Sequence, residues 1–319
     1  MTRNDMNNFI VRIEGGLGAQ IIGLSVYFYL KNIGCNVMTD ISYFDTPLRY
    51  AKPGDNKVTH WDWQVDNYGM NFNSFDWINL NKLAPFFEDT LGDPREGIQI
   101  LKIKKALENF NKIKNEDFKD YHFTSEIFSH SNSIDNFFSG GELVYIKDGP
   151  NKSKLYHQAM REENIKNKFE SNCNNWKNIL NTKNIKIHNC IFIHLRRGDY
   201  LNIKSFNIVS EDAVYKIIKK LSDVFKNVVI LSDASENYKF TKKLKERFEK
   251  VFWLDTLSPF DTHMILRQAK LLICSNSQFS TTAAYLGNCF SIIPQKHTSD
   301  NDHIFQYKNN VTSFALLNN

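Results

Sequence analysis

Between residues 187 and 293 the chain alternates short β-branched runs with stretches of helical period, and this alternation constrains the fold more than any other feature. Strand patterns fall at 187–194, 227–232, 250–254, 271–274 and 289–293. Helical patterns fall between them at 211–225, 236–248, 260–270 and 279–287. Strands alternating with helices of this length predict a parallel, doubly wound sheet. Ligands of such sheets bind beyond the carboxyl ends of the strands. That rule selects four segments: HLRRGDY (194–200), SDASEN (232–237), DTLSPFD (255–261) and SNSQFS (275–280). Their polar residues are expected to converge on one crevice.

The N-terminal part opens on the same plan. NFIVRI (8–13) reads as a buried strand, EGGLGAQ (14–20) as a glycine loop, 21–34 as an apolar helix stopped at Gly34, and 35–44 as the next strand. From 45 to 170 the sequence is aromatic and irregular, with a helical pattern near 98–116 and little expectation of sheet. The Asn- and Lys-rich stretch 162–186 reads as a hinge. The expected organisation is α/β with two domains, an acceptor-side domain at 1–180 and a nucleotide-sugar-binding domain at 181–319, the last residues packing back on the first.

A chain of 319 residues is long enough for two domains with real cores, and 42% apolar with 24% charged residues are globular values. The net charge of +5 is too small, and too dispersed, to argue for nucleic acid. It suits an anionic ligand or a peripheral contact with an anionic membrane surface. The five cysteines are odd in number and form no C-x-x-C pair, so they read as reduced thiols of a cytoplasmic protein. The N-terminus MTRNDMNNF has no apolar signal core, and no stretch approaches ~20 apolar residues.

The sharpest polar feature is the pair Arg196–Arg197, which follows the first strand of the second half. Adjacent side chains on an extended segment point in opposite directions. One arginine can therefore grip phosphate oxygens bidentately while the other faces the protein. A structural salt-bridge corner is the alternative. Asp199 could brace an arginine or the loop amides. The RGD tripeptide also matches an adhesion motif, but here it closes a buried strand. SNSQFSTTAAYLG (275–287) places hydroxyl side chains where a strand opens into an apolar helix, a pattern for an anion site or for a plain N-cap. Gly15, Gly16 and Gly18 make a tight turn that fits neither the dinucleotide fingerprint nor a Walker loop. Asp233 ends a strand, where it could contact a nucleotide or cap the next helix. The nine histidines are scattered, and DND at 300–302 reads as a solvated turn, so no metal site is expected.

VRIEGGLGAQ, HLRRGDY, LSDASEN and ICSNSQFSTTAAYLG occur in the order found in bacterial α-1,2-fucosyltransferases, and the chain resembles that family, glycosyltransferase family 11. The H-x-R-R-x-D element is shared with α-1,6- and protein O-fucosyltransferases. The resemblance implies a GT-B fold, two Rossmann-like domains facing across a cleft. It implies a GDP-fucose donor, inversion at the sugar carbon, and no cofactor or metal. The implied acceptor is a galactose-containing glycan of a surface polysaccharide such as O-antigen or capsule, lipid-linked and assembled at the inner face of the membrane. By position, Arg196 would be catalytic through the β-phosphate. His194, Arg197, Asp199 and Asp233 would lie near the donor, with Ser275, Asn276, Ser277, Gln278, Phe279 and Ser280 forming the phosphate-binding turn. Gly15, Gly16, Gly18 and Gln20 would form the N-terminal loop. The sequence departs from the family pattern at Ala19, usually Asn, at Thr281–Thr282, usually a Trp pair, and at Ala234, usually acidic. Another GDP-linked deoxy-sugar or a heptose as donor, or a nucleotide- or glycan-binding protein without turnover, are the alternatives. Asp62 and Asp66 are the acidic residues nearest in kind to a general base. Trp61, Trp63 and Trp77 could stack on acceptor sugars or fill a core.

Overall fold

The structure, a computed structural model, describes residues 8–13, 15–41, 44, 63–70, 143–146, 159–160, 162–201, 208–287, 289–295 and 311–315. The chain forms two compact units. The second contains Gln64–Gly69 and everything described from Glu170 onward, and the first contains the rest.

In the first unit, strands β1 (Asn8–Arg12), β2 (Asn36–Asp40) and β3 (Leu143–Ile146) form a parallel sheet in the order β2-β1-β3. β3 lies in a region where the sequence predicts little sheet. Helix α1 (Leu17–Asn32) joins β1 to β2 and is apolar nearly all round, as a helix buried on most sides must be. Tyr27 and Phe28 pack edge to face, and Phe28 meets Phe169 the same way. The helix begins four residues earlier than its periodicity implies, so Gly18, Ala19 and Gln20 belong to its first turn and not to the loop.

In the second unit, β4 (Cys190–Leu195), β5 (Asn227–Ser232), β6 (Lys250–Leu254), β7 (Leu271–Ile273), β8 (Phe290–Gln295) and β9 (Val311–Ala315) form one sheet. All pairings are parallel, in the order β6-β5-β4-β7-β8-β9. The five strands expected from sequence are present. β9 is a sixth strand of this sheet. The helices are α2 (Asn175–Thr182), α3 (Glu211–Ile218), α4 (Tyr238–Lys245), α5 (Pro259–Arg267) and α6 (Gln278–Leu286). The expected hinge at 162–186 is largely helical. It includes α2, which packs on α5 with an Asn175 side-chain bond of 2.8 Å to Asp261.

β4 is buried along all six residues, as a central parallel strand covered on both faces should be. Ile191, Ile193 and Leu195 point to one face, where they cluster with Val214 and Ile218 of α3 and with Phe240 and Leu244 of α4. Side chains alternate along a strand, so Phe192 and His194 point to the opposite face. The chain winds outward from β4 through β5 to β6, then crosses back to place β7 on the other side of β4. The carboxyl ends of β4 and β7 therefore flank the topological switch point, where open α/β sheets take their ligands.

Gly287, after α6, is fixed by packing. A Cβ there would collide with the Arg267 carbonyl oxygen. Gly287→Ala is expected to cost about 1–3 kcal/mol, the usual scale of overpacking. An unchanged urea midpoint would contradict that close approach.

Candidate functional site

β4 ends in His194, only 5% exposed, and Leu195, and the chain then turns through Arg196, Arg197 and Gly198. His194 Nδ1 lies 2.7 Å from Ser275 Oγ, and its ring stacks on Phe279 with centroids 5.2 Å apart. Ser275 Oγ is also 3.2 Å from Ser280 Oγ. The ends of β4 and β7 and the first turn of α6 thus form one buried polar cluster. Burial depresses the His194 pKa to about 3, with Asp233 opposing the shift and the two arginines adding to it. The ring is therefore neutral at working pH.

The two arginines diverge. Arg196, with its side chain 11% exposed, donates from Nη1 to Asp233 Oδ2 at 2.6 Å and lies over the Tyr200 ring at 5.3 Å. Arg197 turns back into the protein, donating from Nη2 to the Val209 carbonyl at 2.9 Å and from Nη1 to the Arg196 carbonyl at 3.1 Å, with Glu211 3.8 Å away. A groove of about 570 Å³ is lined by Arg197, Ser210, Glu211, Asn237, Lys239 and Lys243, and Arg196 is not among its walls. Its charges partly satisfy one another: Lys243 donates to Asp212 and Asn237 to Glu211, each at 2.7 Å.

Asp233 organises the loop. Its Oδ1 accepts from the backbone N–H of Arg197 at 2.6 Å and of Gly198 at 3.2 Å, while Oδ2 holds Arg196. It does not cap the next helix: Asn237 does that, accepting from the Phe240 N–H. The loop brace seen here is Asp233; the Asp199 side chain, from which a bracing role is expected, lies outside the described residues. Gly198 is required because a Cβ there would stand 2.7 Å from Asp233 Oδ2. Tyr200, which covers Arg196, carries no signal in the sequence beyond its place in HLRRGDY.

Ser277 caps α6, accepting from the Phe279 N–H at 3.3 Å. Asn276, Gln278 and Phe279 are half-buried beside it. Thr281 and Thr282, where the family pattern has bulkier residues, are buried and bond back to helical carbonyls. The helix N-terminus offers a dipole and backbone N–H groups of the kind that suit an anion.

The N-terminal loop belongs to the first unit. Gly15 takes a left-handed φ of +74°, which strongly favours glycine, and a Cβ there would sit 3.2 Å from the Ala19 Cβ. Gly16 is the N-cap of α1 and Gly18 is buried in its first turn. Gln20 is fully buried, its amide donating to the Gly15 carbonyl at 2.8 Å, so it closes the loop from behind. Asp66 is exposed in the short turn Val65–Tyr68. Trp63 packs on Phe44. Asp62, Trp61, Trp77 and DND at 300–302 lie outside the described residues. Among the described residues no three of His, Cys, Asp and Glu group to hold a metal ion, and no helix is long and apolar enough to cross a membrane. The five cysteines form no disulfide, and burial raises the thiol pKa of Cys190 to about 11.

The sequence model of glycosyl transferase family 11 matches residues 63–313, more than three quarters of the chain. The chain belongs to this family. Its members are glycosyltransferases, so the cluster at the switch point is read as part of a transferase site. No curated protein shows a significant sequence match. Among solved structures, POFUT1 in complex with GDP-fucose is similar with a TM-score of 0.52 at 11% identity, over 99% of this chain and 100% of that one. A second POFUT1 structure, with GDP, gives 0.50 at 11% identity over the same shares of the two chains. The fucosyltransferase NodZ from Bradyrhizobium gives 0.43 at 14% identity, over 88% of this chain and 93% of that one. The fold is of the GT-B class, with two Rossmann-like units.

Two buried neutral histidines make stability depend on pH. The pKa of His194 falls to about 3 and that of fully buried His263 well below 6.5, chiefly through burial. The unfolded chain then binds more protons than the native one below pH 6.5. Stability is complete above that value and falls with acid through the folded pKa, by up to about 1.4 kcal/mol per pH unit for each ring. Urea denaturation at pH 7 and pH 5 checks this. The pH-dependent loss should shrink in His263→Gln, and an equal loss in both proteins would contradict the assignment.

Proposed function

We propose that the protein transfers L-fucose from GDP-fucose to a glycan hydroxyl, O2 of a galactose, with inversion and without a metal. The observation that carries this reading is Arg196, held by Asp233 and Tyr200 after β4, the strand that flanks the switch point together with β7 and its capped helix α6. In the reaction an acceptor oxygen bonds to C1 of the sugar as the C1–O bond to the β-phosphate breaks. The bonding electrons leave with GDP, and the hydroxyl proton passes to a base. Negative charge grows on the departing phosphate, and pre-organised donors aimed there are the usual largest source of rate. Arg196 supplies a cation fixed by Asp233. The α6 N-terminus supplies the dipole.

His194 is neutral and accepts or donates at Nδ1 to Ser275, which holds the ring flat on Phe279. Its role in this reading is to shape the donor pocket without adding charge. The GDP-fucose named with one similar structure, POFUT1, agrees with this donor. The acceptor in this proposal is a bacterial surface glycan, lipid-linked and met at the inner membrane face, which the family resemblance favours.

The test is a screen of nucleotide-sugars by thermal shift, followed by GDP release with a galactoside acceptor, with and without EDTA. GDP-fucose should raise the melting temperature most, since ligand bound to the native state stabilises it. EDTA should leave the rate unchanged. A stronger shift and turnover with another sugar donor would replace fucose in this reading, and a rate abolished by EDTA would end the metal-free mechanism.

A further inference from the structure

His263, in the middle of α5, is completely buried, yet nothing in the reaction above uses it. A buried imidazole is tolerated only when both nitrogens are satisfied. Here both are. Nδ1 lies 2.7 Å from the Tyr68 hydroxyl, and Nε2 lies 3.1 Å from Thr282 Oγ1 in α6. Tyr68 comes from a turn 195 residues earlier in the chain that belongs to the same unit. The ring also meets Phe279 edge-on, centroids 5.3 Å apart. Phe279 is thus gripped from two sides: His263 touches its edge and His194 stacks on its face.

The bond directions follow from counting protons. The Thr282 hydroxyl has one, and the Gln278 and Phe279 carbonyls share it, at 2.9 and 3.0 Å. Its oxygen must then accept from His263, which assigns the proton to Nε2. Burial keeps the ring neutral, with the Arg267 charge acting in the same direction. Nδ1 is then bare and accepts the Tyr68 proton. The Tyr68 phenol stays protonated because burial raises its pKa, against the opposing pull of Arg267. The result is a one-way chain from Tyr68 through His263 and Thr282 to the carbonyls of Gln278 and Phe279, the first two residues of α6. An ordinary core histidine satisfies itself locally. This one ties a remote turn to the two features of α6 that face the donor, its first turn and the Phe279 ring.

We propose that His263 is a positioning residue: with Tyr68 and Thr282 it sets the orientation of Phe279 and of the α6 N-terminus, and so the affinity for the donor diphosphate. The inference rests on the donor reading given above. His263 touches neither the sugar nor the phosphate. It acts by holding the residues that do.

The experiment measures GDP and guanosine binding by calorimetry, with melting temperature, for the full-length wild type and for Arg196→Ala, Tyr68→Phe, Thr282→Val, His263→Gln and the double variant Tyr68→Phe/Thr282→Val. Tyr68→Phe and Thr282→Val each remove one hydroxyl at nearly constant volume. Each is expected to weaken GDP about tenfold, the loss of one hydrogen bond's worth of orientation, while guanosine binding stays as in the wild type. The double variant should be no weaker than the worse single one, because both act through one ring. His263→Gln keeps a donor toward Thr282 and should retain more GDP affinity than Thr282→Val. A purely structural role would lower the melting temperature and leave the ratio of GDP to guanosine affinity unchanged, and that result overturns the inference. If the wild type binds GDP and Arg196→Ala loses it, but the relay variants bind GDP normally, the inference fails and the donor reading stands. If the wild type does not bind GDP, the donor reading fails and takes the inference with it.

Discussion

Arg196→Ala is expected to lower kcat about 10²–10³-fold, the scale for removing one donor aimed at developing charge. The residue is suited to that loss. Its guanidinium is fixed by Asp233 at 2.6 Å and by the Tyr200 ring, so little reorganisation is needed as the leaving group departs. Arg196→Lys keeps the charge but not the planar fork, and is expected to recover only part of the rate. Arg197→Ala should behave differently. Its partners are the carbonyls of Val209 and Arg196 and the carboxylate of Glu211, so its loss should appear first as a lower denaturation midpoint. Steady-state kinetics beside urea titrations separate the two. Near-normal turnover in Arg196→Ala would remove the arginine from the mechanism.

The second large effect is expected at Asp233. Two backbone amides and Arg196 converge on one carboxylate, so Asp233→Ala frees the loop and its arginine together. Activity should fall about as far as in Arg196→Ala, and stability by about 1–3 kcal/mol for the partners left unsatisfied. Asp233→Asn divides these losses. Its amide oxygen can still accept from the N–H groups of Arg197 and Gly198, so folding should be nearly unchanged. The charge that orients Arg196 is gone, so kcat should still fall. A fully active Asp233→Asn protein would show that the ion pair is incidental.

Much of the second unit was legible because its strands are buried on both faces. CIFIHL and NVVILS read as unbroken apolar runs, and the helices between them keep their period. The same logic placed His194, Arg196 and Ser275 at the strand ends that flank the switch point. The first turn of α1 was misread because glycines at 15, 16 and 18 look like a loop. Gly16 is in fact the cap, and buried Gln20 closes the turn with its side chain. β9 was missed because its five residues pair at a sheet edge, where only the neighbouring strand supplies order. Asp233 could be seen as a polar residue at a strand end, but its partners lie 35 and more positions away and no local pattern encodes them. His263 was invisible for the same reason. Within α5 it is one of several polar residues, and only its partners Tyr68 and Thr282, far away in sequence or on another helix, explain its burial.

The central claim is that Arg196 grips the β-phosphate of a GDP-sugar, and the difference in affinity between GDP and GMP tests it most directly. GMP lacks the phosphate in question and shares everything else. The wild type should bind GDP at least about tenfold more tightly than GMP, as one charge-assisted contact would require. Arg196→Ala should bind the two alike, with GMP affinity unchanged from the wild type. An Arg196→Ala protein that keeps the full preference for GDP would contradict the account.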